Sequence, residues 1–142
     1  MYMRFSTIFF LLLISYWTLG QSCALTVIVT GFKTNSGKAM LALHHKPEAF
    51  PNKDASAYTR ITATIQNNTA TFVLSQIPYG TYAIAVFHDE NNNNKLDFSL
   101  IGYPSEKFGF SNNAKVTFAP PKWDEAKIML QSPTLRHSIV LQ

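Results

Sequence analysis

One cysteine, six glycines and a charged fraction of only 14% set the first limits on this chain of 142 residues. A lone thiol forms no internal disulfide, so the fold must be held by its core, or by a core and an ion, without crosslinks. No run of like charges and no basic stripe occurs, which argues against a nucleic-acid partner. No serine stands in a Gly-x-Ser-x-Gly elbow, so the commonest hydrolase signature is missing. There is no convincing helix and no internal repeat. The cysteine pair and buried tryptophan of antibody domains are absent too, so any immunoglobulin-like reading concerns architecture alone.

The one long apolar run, 8–14, is too short to span a bilayer. It follows Arg4 and precedes small residues, the order of a secretory signal peptide. Ser22 and Ala24 form a small-x-small cleavage site, which places the expected cut after Ala24. Residues 1–24 are then the signal peptide and 25–142 a single domain of about 118 residues, enough for one core. Cys23 leaves with the signal. The competing reading is a lipoprotein that keeps Cys23 as its first residue, but "GQS" before it lacks the leucine of such signals. The expected location is therefore periplasmic or secreted, with no membrane span in the mature chain. Without Arg4, eleven basic residues face eight acidic ones, a balance that neither demands nor excludes an acidic partner.

What is there is β throughout. "LTVIVTGF" (25–32) alternates as a strand does, and "MLALHH" (40–45) reads as its hairpin partner across the turn at Asn35, Ser36 and Gly37. Segment 46–57 reads as a crossover loop with Phe50 tucked inward. "YTRITATIQ" (58–66) and "TATFVLSQI" (69–77) form a second hairpin about Asn67 and Asn68. "TYAIAVFHD" (81–89) is apolar on both faces and suits a central strand. A long loop follows over 89–114, then "KVTFA" (115–119), "AKIML" (126–130) and "HSIVLQ" (137–142) read as strands. About seven short strands imply an all-β fold, an antiparallel two-sheet sandwich of immunoglobulin-like or prealbumin-like architecture.

The segment "HDENNNNKLDF" (88–98) opens the long loop. Calcium takes six to eight oxygen ligands, and alternate positions of a tight loop turn toward one centre. Counting from Asp89, the ligands are Asn91, Asn93, the Lys95 backbone carbonyl and Asp97. Position six is Asn94 in place of glycine, which asparagine tolerates best among other residues. Position twelve is Leu100, without the closing glutamate; Glu90 or Glu106 is the nearest source of a third carboxylate. The metal-free alternative is a loop held by Asn and Asp side chains bonded to the backbone.

Tyr103, Phe108 and Phe110, with Trp123 beyond, offer a platform for stacking a sugar or gripping a peptide. Against it stands the packing alternative, in which the loop folds back and buries them as a satellite core, with Trp123 a plug over the sandwich end. Ser111, Asn112 and Asn113 are expected to cap the same loop system against Asp89 and Asp97. His44, His45 and His88 read as ordinary strand-end histidines, since neighbours on a strand point to opposite faces.

Several stretches together carry a resemblance: Pro78, Gly80 and Tyr82; His88, Asp89, Glu90 and Asn91; Leu96 and Asp97; Gly102 and Pro104; "GFSNN" at 109–113; Pro120 and Pro121; "WDEA" at 123–126. These resemble a bacterial family of exported proteins known as domain of unknown function 2141 (DUF2141), over 27–130. The departure is at Asn92 and Asn94, where the family tends to have glycine. The resemblance implies a secreted or periplasmic β-sandwich and no established activity. Over about ten residues the loop is also similar to calcium-stabilised sandwich repeats of bacterial adhesins. The functional expectation is a non-catalytic binding or accessory module of the cell envelope, its partner an envelope protein, a peptide or a carbohydrate. Its alternatives are a structural or interaction domain with a calcium-stabilised loop, and a hydrolase.

Overall fold

Alternation at period two sorts the side chains of each strand onto two faces. The computed structural model, which describes residues 20–52 and 56–142, turns that alternation into two packed sheets. The segment read as a signal peptide lies, up to residue 19, outside the described residues. Among the described residues the strands are β1 (Ser22–Thr30), β2 (Lys38–His44), β3 (Thr59–Ala63), β4 (Thr69–Pro78), β5 (Gly80–Asp89), β6 (Phe108–Phe110), β7 (Ile128–Leu130) and β8 (Thr134–Val140), with one α-helical turn, α1 (Trp123–Ala126), and 3-10 turns at Pro47–Ala49 and Ser111–Asn113. One sheet has the order β4-β1-β8; the other has the order β3-β2-β5-β6, with β7 also on β5.

The all-β two-sheet sandwich expected from the sequence is the architecture observed, with one pairing of the other sense: β8 runs parallel to β1. Leu25, Val27, Val29 and Phe72 from the first sheet meet Leu41, Leu43, Ile84 and Val86 from the second, all buried. Each such side chain contributes about 1.5–3 kcal/mol on burial, which is how the fold stands without a disulfide. Among the described residues no helix is long and apolar enough to cross a membrane.

Both expected hairpins are corrected. β1 and β2 lie in different sheets; Gly31 and Gly37, at φ of +89° and +70°, carry the chain across the core edge between them. A Cβ on Gly37 would sit 2.0 Å from the Asp89 carbonyl oxygen, so only glycine passes there. β3 and β4 share the expected turn, with Asn67 and Asn68 at positive φ and a bridge from Gln66 to Thr69. Beyond that bridge they diverge, β3 to β2 and β4 to β1, because each buries its apolar residues against a different layer.

"KVTFA" is not a strand. Its residues alternate in sequence, but burial does not follow: Val116 is half-buried, Phe118 two positions on is exposed, and the segment pairs with no strand. Within the long loop, conversely, β6 pairs with β5 through Phe108 and Phe110, whose rings cover the outer face of that sheet. "AKIML" enters its strand only at Ile128, since Ala126 ends α1. Phe50 is tucked under the outer cluster as expected, its ring 5.8 Å from Phe110 and 6.0 Å from Trp123. At the other end β1 includes Ser22, Cys23 and Ala24, upstream of the expected mature start. Cys23 is fully buried and paired with Ile77, and the Ala24 amide donates to the Pro133 carbonyl at 2.8 Å.

Candidate functional site

The second sheet turns its core-facing residues inward, so its remaining residues form an outer face that is apolar as well. Register places them in rows. Arg60, Ala42, Ala85 and Phe110 stand side by side across β3, β2, β5 and β6, and the next row is Thr62, Met40, Phe87 and Phe108. Two adjacent alanines in the first row make a depression where the second row is filled by large side chains. Two loop segments rise over it: Leu96, Phe98, Tyr103 and Pro104 on one side, Val116, Phe118 and Pro120 on the other. Between them lies a cleft of about 620 Å³. Its lining is mainly apolar, with Arg60 and Lys95 as the charged groups and no acid, histidine, serine or cysteine among the described residues.

Three of the four expected ligand-binding aromatics, Tyr103, Phe108 and Phe110, meet at this cleft. They do not form a flat stacking platform. Phe108 and Phe110 are buried in the cluster that covers the sheet, with their rings 5.9 Å apart and edge-on, while Tyr103 stands exposed at the rim. Trp123 is not in the cleft lining; it is half-buried against Phe50 as the first residue of α1.

The asparagine loop braces one wall. The Asp89 carboxylate is fully buried and accepts the backbone amides of Asn93 and Asn94, each at 3.0 Å. Lys38 Nζ lies 3.5 Å from it and donates to Asn94 Oδ1 at 2.6 Å. Asn91 and Asn93 donate side-chain N–H groups to the Asp97 carboxylate at 2.6 and 2.9 Å. So the expected ligands Asn91, Asn93 and Asp97 do converge, while Asp89 turns to the backbone behind them. The Lys95 amide joins through Asn93 Oδ1 at 2.8 Å. Glu106, buried, closes the loop: one oxygen accepts the Glu90 amide at 2.9 Å and the other the Asp97 amide at 3.0 Å. Asn92 and Asn94, the positions where the resemblance has glycine, hold φ of 60° and 65°. Among the described residues no group of three or more His, Cys, Asp and Glu side chains stands close enough to hold a metal ion.

"SNN" at 111–113 caps a different system from the expected one. Ser111 Oγ donates to the Ala126 carbonyl and accepts the Ile84 amide at 2.9 Å. Asn112 donates to the carbonyls of Glu125 and Lys127, and Asn113 Oδ1 accepts the Val140 amide at 2.8 Å. These bonds tie β5, α1 and β8 together, away from Asp89 and Asp97. The Asn112 amide also donates to His137 Nε2 at 3.1 Å, and burial pushes the His137 pKa below its ordinary value. His88 faces inward, with Nε2 2.7 Å from the Ser36 carbonyl oxygen, whereas His44 is on the outer face against Phe50, so the two do not meet.

Sequence reasoning missed Arg60, Ala42 and Ala85. The available signal was the apolarity of both faces of 81–89: a strand that is not sandwiched by a third layer leaves its second apolar face for something else.

The chain belongs to the family "Uncharacterized protein conserved in bacteria (DUF2141)", whose model matches residues 27–137. No curated protein and no solved structure matches it.

Proposed function

We propose that this DUF2141 chain is an exported, non-catalytic binding module of the cell envelope whose ligand site is the cleft over Ala42 and Ala85. The cleft itself carries the reading. Its volume of about 620 Å³ lies within the usual span for small-molecule sites, roughly 300–1,000 Å³, and its walls are mainly apolar. Arg60 stands at the β3 end of the row and Lys95 on the loop wall, so the ligand that fits is amphipathic: an apolar body over the alanines and an anionic group at the cations. That chemistry suits a fatty acid or a similar carboxylate better than a sugar, for which a stacking ring and convergent polar groups are wanted. A non-catalytic role is supported by a lining that, among the described residues, includes no Asp, Glu, His, Ser or Cys. The order of charge, apolar run and small residues before Leu25 supports export.

The test is fluorescence titration with cis-parinaric acid and with its methyl ester. Saturable binding of the acid, weaker for the ester by on the order of tenfold and equalised by Arg60→Gln, is the expected result. No saturable binding of either probe refutes the cleft as a ligand site.

A further inference from the structure

The segment 97–105 is a small, tightly tied projection. The Ser105 amide donates to the Asp97 carbonyl at 2.9 Å, the Ser99 amide to the Tyr103 carbonyl at 2.8 Å, and the Gly102 amide to the Ser99 carbonyl at 2.9 Å. The first two of these bonds make Phe98 and Pro104 an antiparallel bridge. At its tip stand Leu100 and Ile101, 107% and 91% exposed. Three backbone bonds hold them there, so their exposure is the built shape of the loop. Two adjacent branched aliphatics held in water by the loop's own bonds mark a surface meant to be covered. Phe118, 103% exposed on the opposing wall, and Tyr103 on the near one extend the apolar surface along the cleft mouth.

Of the charges around it, the lysines are the more exposed. Lys95 before the projection and Lys115 before Phe118 are exposed, and Lys107 is half-exposed. The carboxylates of the same stretch keep their charge but are drawn back from the surface: Asp97 is half-buried and bonded to Asn91 and Asn93, Glu106 is buried on two backbone amides, and Glu90 is half-exposed. An aliphatic tip set among lysines matches the interface of an anionic bilayer, where apolar side chains enter the headgroup boundary and cations remain at the surface. A convex tip also needs no complementary pocket in lipid, as it would on a protein.

We infer that the 97–105 projection docks this protein on an anionic lipid surface, with Leu100 and Ile101 entering the interface and the cleft mouth facing the membrane. The inference goes beyond the ligand reading and does not need it.

The experiment is co-sedimentation of the chain from Gln21 onward, which contains every strand and both apolar clusters, with vesicles of phosphatidylglycerol and phosphatidylcholine, and with phosphatidylcholine alone. Binding is expected to the anionic vesicles, to weaken as salt rises, and to fall on the order of tenfold or more in Leu100→Ser/Ile101→Ser. Lys95→Glu/Lys115→Glu should lose binding while keeping the tip. A circular-dichroism melt matching the parent for each variant shows that folding is intact. Parent protein that stays in the supernatant, equal binding to neutral vesicles, or a serine variant that binds as the parent does overturns the inference. So does concentration-dependent self-association in sedimentation velocity that the serine variant loses, since the tip is then a contact between copies. Cis-parinaric acid binding measured in the serine variant, whose two positions do not line the cleft, separates this outcome from that of the cleft: a retained cleft with lost docking supports the inference, and docking by a parent protein that binds no acid supports it while refuting the ligand reading.

Discussion

Ala42 and Ala85 face each other directly across β2 and β5, in the row that runs from Arg60 at one side to Phe110 at the other. The neighbouring row, Met40 beside Phe87, is bulky, so the alanine pair is what opens the cleft floor. The depth of the site therefore depends on two methyl groups, and the polarity of its end on a single guanidinium.

Filling that floor is the most direct intervention. Ala42→Leu is expected to reduce cis-parinaric acid binding by about tenfold or more, equivalent to about 1.4 kcal/mol, because the added carbons occupy ligand space. The melting temperature should stay within a few degrees of the parent, since the side chain extends into the cleft and leaves the inter-sheet core untouched. A leucine variant that binds the probe as the parent does places the ligand elsewhere.

Glu106 joins both ends of the asparagine loop through the Glu90 and Asp97 amides. Glu106→Ala leaves both donors without that acceptor and is expected to cost about 2–4 kcal/mol, with Glu106→Gln costing about half as much, because one carboxamide oxygen remains. Urea denaturation measures the difference. Amide exchange at residues 90 and 97 should accelerate in the alanine variant ahead of the core strands.

His137 accepts the Asn112 amide on Nε2, which requires the neutral ring, and burial holds its pKa below the ordinary histidine value of 6.5. The unfolded chain therefore binds the proton more readily. The stability contributed by this site is full above about pH 6.5 and declines as pH falls from there toward the lowered folded value. The urea midpoint of the parent should drop between about pH 7.5 and about pH 5.5 by more than that of His137→Gln, whose side chain does not titrate. Equal slopes would show that Asn112 and His137 are not linked in solution.

The asparagine loop completes its own bonding: Asp89 is occupied by two backbone amides and Asp97 by two side-chain N–H groups. A cation at Asp97 requires the Asn91 and Asn93 carboxamides to rotate and present oxygen. The expected result is a melt in about 1 mM calcium chloride within about 1 °C of the melt in chelator. Asp97→Ala should lower both melts alike. A rise of several degrees with calcium that Asp97→Ala abolishes establishes the calcium loop instead.

The start of β1 gives a test of where the folded domain begins. Ser22 and Cys23 pair with Pro78 and Ile77, and Cys23 is buried, so a chain beginning at Leu25 loses these pairings and uncovers Ile77. Relative to a chain beginning at Gln21, it should be less stable by about 2–3 kcal/mol, measured by urea denaturation. Equal stabilities would show that residues 21–24 add nothing to the sheet.

Much of the fold was legible because period-two alternation is a local property: the cores of β1, β2, β4 and β5 follow from Val27, Leu41, Phe72 and Ile84 standing two residues from like neighbours. Asn92 and Asn94 were readable as left-handed positions for the same reason, since positive φ is a preference of the residue itself. Pairing was not legible. The turns at 31–37 and 67–68 look like hairpin turns in sequence, yet the strands they join belong to opposite layers, and only burial against a distant partner decides that. "KVTFA" shows the same limit, as alternation makes a strand only where an edge is there to pair with.

By itself, then, the sequence determined the class of fold, the strands that fill its core and the backbone character of the asparagine loop, all consequences of neighbouring residues acting on one another. Tertiary structure decided where the cleft is. Arg60, Ala42, Ala85 and Phe110 come from four strands spread over seventy positions of chain, roughly, and become one row only when hydrogen-bonded register sets them side by side at about 5 Å intervals. No local pattern marks such a row, because its members are neighbours in the sheet and strangers in the sequence.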